Sequence, residues 1–133
     1  MSLIDLSLAE LSSGLSAREF SSSELVSSCV QQVKAVDGKI GAFIALDEER
    51  VLAAAQASDA RRSDGAWMSP LDGIPVGMKD LIAVRDEPLT CASQILKDFI
   101  SPYDAGVAER LKGSGMIPFG RLNMDEFAMG SSN

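Results

Sequence analysis

Apolar residues recur at helical spacing through the first part of the chain. Leu25, Val26, Cys29, Val30, Val33 and Val36 fall on one face of a 3.6-residue repeat, which predicts an amphipathic helix. A shorter helix is predicted before it, with a turn near Gly14. Ser21, Ser22 or Ser23 is positioned to cap the longer helix, and Gly38 to follow its end. The "GAFIAL" run, residues 41–46, is short and apolar and reads as a strand or an extended docking segment. Another helix is predicted over "DEERVLAAAQASDARRSDG", acidic at its first turn and basic at its last, an order that suits the helix dipole. Its alanine-rich face predicts close packing on a neighbour.

The period then changes. Ile74, Val76 and Met78 alternate, which predicts a strand with Gly73 and Pro75 near its start. A loop-rich stretch follows, with a short helix expected around 93–99. The next helix, through "AGVAERLKGSG", is expected to start at an Asp104 cap and to bury Val107, Ala108 and Leu111 on one face. "MIPFG" reads as a short strand that Pro118 relegates to an edge or an irregular stretch, because proline cannot donate to a ladder. Strands alternating with helices predict an α/β fold in one domain. A mainly helical arm covers residues 1–65, and strands and helices of an incomplete mixed or parallel sheet cover 66–133.

Composition narrows the function. With 133 residues, 46% hydrophobic and 23% charged, the chain has the profile of a soluble globular protein with one modest core. Its net charge of −7 and its dispersed Lys and Arg, "DARRSD" apart, lack the basic face that direct nucleic-acid contact needs. No apolar stretch approaches a membrane span, and no signal peptide is expected after Met1. Cys29 and Cys91 have no companion ligands and read as two small buried hydrophobes in a reducing cytoplasm. The chain has no histidine, so no Ser-His-Asp or Cys-His arrangement can be completed within it. A nucleophilic site would need another base, and lysine is the alternative.

Lys79 stands out on those grounds. In "PLDGIPVGMKDLIAV" it sits among glycines and apolar residues, where a desolvated ammonium must find partners or lose its proton. The alternative reading is a snorkelling or salt-bridged strand lysine. Asp80 beside it is either a site residue or a local structural carboxylate.

"PLDGIPVGMKDLI" resembles the lysine-bearing motif of the amidase signature family, Pro-Leu-x-Gly-Ile-Pro-x-x-x-Lys-Asp. "GRLNMDEFAMGSS" is similar to the following block in one branch, the A subunits of aspartyl/glutamyl-tRNA(Asn/Gln) amidotransferases, and "TCAS" and "PYDAGVAERLKGSG" lie between the two as in that branch. The resemblance covers nearly the whole chain, loosely over the first sixty-odd residues and closely from Pro70. It implies the amino-terminal part of the amidase signature fold and acyl transfer from an amide by a serine, a bridging serine and a lysine, with Lys79 as the lysine. It also implies that Met129, Gly130 and Ser131 lie near the bound amide. Alternatively, Asn123 and Asp125 cap a helix that Phe127 anchors in the core. The implied substrate is glutamine, and the implied partners are B and C subunits, the B subunit handling mischarged tRNA. ATP and Mg would serve the complete complex, with no cofactor bound by this segment and no membrane involved.

Departures from the family pattern are Leu81, where Asn is frequent, and Arg121-Leu122, where Lys-Thr is common. The glycine- and serine-rich block with both catalytic serines has no counterpart here, and Ser131 and Ser132 are not those residues. An amino-terminal piece of a longer enzyme is therefore expected, inactive alone. Two alternatives are a piece of another amidase acting on a small amide and a non-catalytic interaction module.

Overall fold

Each of the three longer helices begins at a side chain that satisfies its free amides. The computed structural model describes residues 2–130. Helix α1, Leu8–Ala17, opens with a capping box between Ser7 and Glu10. Helix α2, Ser22–Ile40, opens with another between Ser21 and Glu24. Asp59 adds to this start by accepting from the Ser22 and Ser23 amides at 2.7 and 3.0 Å. Asp47 accepts from the Arg50 amide at the start of α3, Glu48–Ser63.

Two predicted helix boundaries move. Gly14 lies inside α1, and the turn falls at Arg18, which is left-handed at φ 58°. A Cβ on Gly14 would stand 2.3 Å from Cε1 of Phe20, so this glycine makes room for a ring. Helix α2 runs past Gly38 to Ile40, and Gly41 supplies the left-handed cap at φ 68°.

Three strands form a mixed sheet in the order β1-β3-β2. Strand β1 is Phe43–Ala45, β2 is Pro75–Lys79 and β3 is Ile117–Leu122. Strands β2 and β3 are parallel, joined by a crossover containing helix α4, Gly106–Gly113, while β1 is antiparallel to β3. On one face, Val26 and Val30 of α2 and Val51 and Ala55 of α3 pack with Ile117 and Phe119. Each large side chain buried there contributes about 1.5–3 kcal/mol. Phe43 meets Phe119 edge to face at 5.7 Å. Near α4, Met78, Val84 and Ala108 form a second cluster. The helical residues 1–65 and the later segment thus share one core.

The strand expected at an edge is central. Pro118 is tolerated because the preceding amide, of Ile117, donates to Ile74 at 3.0 Å. The position of its own missing N–H faces the other side, where β1 pairs only with Arg121 and Leu122. Strand β3 also carries a bulge. From Val76 to Met78 its partner advances two residues, while β3 advances three, from Pro118 to Arg121. Gly120 permits this at φ 67°, and a Cβ there would meet Phe43 Cδ1 at 2.8 Å and the Ala45 carbonyl at 2.9 Å.

Helix α4 departs from expectation in two ways. Its N-cap is Ala105, and Asp104 instead accepts from the Arg85 amide at 2.7 Å and pairs with Lys112 at 2.9 Å. Those bonds hold the Asp104 carboxyl below its usual pKa. Ala108 is buried, but Val107 is exposed and lies off that face. Among the described residues no helix is long and apolar enough to cross a membrane.

Candidate active site

Lys79 is the last residue of β2, at the carboxyl end of the parallel pair, where open α/β sheets hold their ligands. The strand ends because the Ile82 amide turns back onto the Lys79 carbonyl at 2.9 Å, while Asp80 N donates to Leu122 at 3.1 Å. Strand alternation sends Met78 and Asp80 inward and leaves Gly77 and Lys79 exposed. The desolvation expected of Lys79 is therefore absent. It stands on the open side of the sheet, in no ion pair among the described residues.

The buried cation is Arg121, 1% exposed. Ile117 and Phe119 point to α2 and α3, and simple alternation would send Arg121 there as well. The bulge at Gly120 instead registers it with Met78 and turns it toward the fully buried Asp80. Its Nε donates to Asp80 Oδ1 at 3.2 Å. Its Nη2 donates to the Ile82 carbonyl at 2.5 Å and the Lys79 carbonyl at 3.4 Å. Its Nη1 faces Glu87 Oε2 at 3.6 Å, and Glu87 in turn pairs with Arg50 of α3 at 2.8 Å. Burial pushes the Glu87 carboxyl above its usual pKa, and the two arginines pull it partly back.

Asp80 also draws in the "TCAS" loop. Its Oδ2 accepts from the Thr90 hydroxyl and, at 3.2 Å, from the Thr90 amide. The Cys91 amide donates to the Asp80 carbonyl at 3.0 Å. Cys91 and Ala92 are both left-handed, at φ 49° and 53°, as are Phe127 and Ala128 at 52° and 56°. Such backbone is strained by roughly 1–3 kcal/mol per residue and persists where surrounding bonds over-determine it. Here the Phe127 amide donates to the Cys91 carbonyl at 3.0 Å, and the Ser93 hydroxyl to Glu126 at 2.9 Å. The lysine motif, the "TCAS" loop and the "NMDEFAMG" segment are thereby tied into one cluster.

Within it, Cys91 is no activated nucleophile, because burial and then the Asp80 charge raise its thiol pKa. Asp125 leads a 3₁₀ turn, Glu126–Ala128, without capping it by its side chain, and accepts from the Gly130 amide at 2.6 Å. Phe127 is exposed and Met124 is the buried anchor. Asn123 bonds the Gly41 carbonyl and the Met124 amide instead of capping a helix. Met129 projects at 81% exposure beyond that turn, and Ser131 lies outside the described residues. No group of three or more potential metal-ligating His, Cys, Asp or Glu gathers among the described residues. Reading along the chain finds Lys79 but not the Arg121–Asp80–Thr90 arrangement. The one available signal was a second basic residue within a strand-like run, "IPFGRL".

The family model described as Amidase matches residues 24–133. The glutamyl-tRNA(Gln) amidotransferase A subunit of Anaeromyxobacter sp. (strain K) is 49% identical over 98% of this chain and 27% of its own length. Its counterpart in Myxococcus xanthus (strain DK1622) is 48% identical over the whole chain and 27% of its own length. Among solved structures, a peptide amidase from Stenotrophomonas maltophilia superposes with a TM-score of 0.85. It shares 30% identity across 90% of this chain and 25% of that protein. The chain thus spans about a quarter of the length of the relatives it matches.

Proposed function

The chain belongs to the Amidase family, and on that premise we propose that it is part of the glutaminase subunit of a tRNA-dependent amidotransferase, with Lys79 as its catalytic base. The observation that carries this is the position of Lys79 at the carboxyl end of a parallel strand. The two other motif blocks are bound to the turn that follows it. The amidotransferase reading rests on 48–49% identity to proteins of that name, against 30% to a peptide amidase.

In this reading a neutral Lys79 Nζ accepts a proton from a bridging serine, which takes one from a nucleophilic serine. The nucleophile's oxygen attacks the side-chain carbonyl of glutamine. The proton taken up by Lys79 passes back through the bridging serine to the amide nitrogen, which leaves as ammonia, and water releases glutamate from the acyl-serine. Both serines belong to residues beyond this chain. Lys79 is exposed in this structure, and a lysine acts as a neutral base where it is desolvated, so those further residues also supply its covering. Met129 and Gly130, which follow the turn held to Cys91, line the amide site. A B subunit spends the ammonia, with ATP and Mg, on mischarged glutamyl- or aspartyl-tRNA, and a C subunit braces the pair. The 133 residues alone give no glutaminase turnover.

Lys79→Ala in the intact complex tests the assignment. Glutamine hydrolysis falls at least ~10²-fold, the lower end of what a positioned base contributes, while amidation from free ammonia persists. Loss of both activities together would make Lys79 structural. Hydrolysis of small amides with no tRNA amidation would move the chain to another branch of the family.

A further inference from the structure

We propose that Arg121 is a positioning residue for Lys79. It fixes the turn on which the lysine stands and cancels the Asp80 charge, so that the lysine can be neutral at working pH. This rests on the reading of Lys79 as the base. Three observations support it. Nη2 of Arg121 gathers both carbonyls of the Lys79–Ile82 turn, and its Nε holds Asp80. Both side chains are buried, so their charges act through protein rather than water. The bulge at Gly120 takes Arg121 off the face that Ile117 and Phe119 present to α2 and α3 and turns it toward Asp80.

The charges alternate outward from the lysine. Asp80 follows it in sequence, and Arg121 of β3 lies on Asp80. Glu87 from the 85–88 loop faces Arg121, and Arg50 of α3 faces Glu87. Glu126 is engaged by the Ser93 hydroxyl. The ladder from Asp80 to Arg50 is neutral as a whole. Removing the Arg121 charge leaves Asp80 uncompensated beside Lys79, which favours the ammonium form. Two unit charges about 10 Å apart at an effective dielectric near 20 interact by roughly one pKa unit, which sets the scale of the upward shift.

The test is the pH dependence of glutamine hydrolysis, as kcat/KM, in the intact complex. Arg121→Gln should move the acid limb up by roughly one pH unit, with a smaller loss on the alkaline plateau. Arg121→Lys, which keeps the charge, should return the limb toward the parent, and Asp80→Asn should move it down. A uniform loss across pH with the limb unmoved in Arg121→Gln would overturn the proposal and leave Arg121 a packing residue. If Arg121→Gln does not fold, Asp80→Asn decides: a downward shift supports the proposal, and an unmoved limb overturns it. Full activity in Lys79→Ala is a separate failure, that of the base assignment itself.

Discussion

Asp72 offers the sharpest test of how this fold is held, because its carboxylate accepts four hydrogen bonds in a fully buried position. Oδ1 receives Ser58 Oγ at 2.8 Å and Arg61 Nη2 at 2.6 Å, and Oδ2 receives Arg61 Nε and the Met68 amide, both at 2.9 Å. Asp72→Asn keeps the shape, which matters because Gly115 packs against the carboxyl so closely that a Cβ would lie 2.5 Å from its carbon. The new NH₂ must replace one oxygen. At Oδ2 it would face two donors. At Oδ1 the Ser58 hydroxyl can rotate to accept, leaving one Arg61 bond lost and the guanidinium without its counter-charge. A charge-assisted bond is worth about 1.5–3 kcal/mol. Arg61 is 32% exposed and recovers some hydration, which discounts the loss. The expected destabilisation at pH 7 is about 2 kcal/mol, read from the urea midpoint at constant m-value.

The pH dependence has a definite sign. Burial works to raise the Asp72 pKa, but the bonds from Arg61, Met68 and Ser58 outweigh it and hold the group below its usual range. Its stabilisation is present above the unfolded carboxylate value near 4 and is lost as pH falls through the lower folded value. The gap between parent and variant should therefore narrow below about pH 4. A variant within about 0.5 kcal/mol of the parent at pH 7, or a gap that widens in acid, would refute the reasoning.

Two further substitutions probe local geometry. Gly120→Ala combines a left-handed φ with a clash against Phe43 and the Ala45 carbonyl, so a loss of about 2 kcal/mol or more is expected in thermal melts. Because Gly120 sets the bulge, the variant should also disturb the site, seen as faster exchange of the Asp80 amide. Ser21→Ala removes one half of the capping box of α2 and should cost about 1 kcal/mol. Asp59 still holds the Ser22 and Ser23 amides, so helix α2 should persist in far-UV circular dichroism.

Local signals proved reliable where the physics is local. Serine caps, the acidic-to-basic order of α3 and the alternation before Lys79 each depend on residues a few positions apart, and the structure has all of them. Glycine was less legible, because the letter does not say whether it is needed for left-handed backbone or for space. Gly14 makes room for Phe20 and Gly41 turns the chain, and only Phe20 and the helix end distinguish them. Asp104 likewise looks like a cap until the fold brings Arg85 and Lys112 to it.

What the sequence by itself determined is the order of the longer helices and of the strand before Lys79, the absence of histidine, and the motif that makes Lys79 a candidate base. The helix expected around 93–99 is only a 3₁₀ turn, Gln94–Leu96. Which cation is buried was decided only by the tertiary structure. A charge in an apolar run does need partners, but the residue that is buried and finds them is Arg121 and not Lys79. Strand alternation puts neighbours on opposite faces, and one extra residue at Gly120 reverses the faces for everything after it. That bulge exists only when β3 pairs with β2 and β1, segments far away in the chain. The same pairing tells why Pro118 can lie in a central strand: β1 is short, and it leaves open the side where proline has no proton to give.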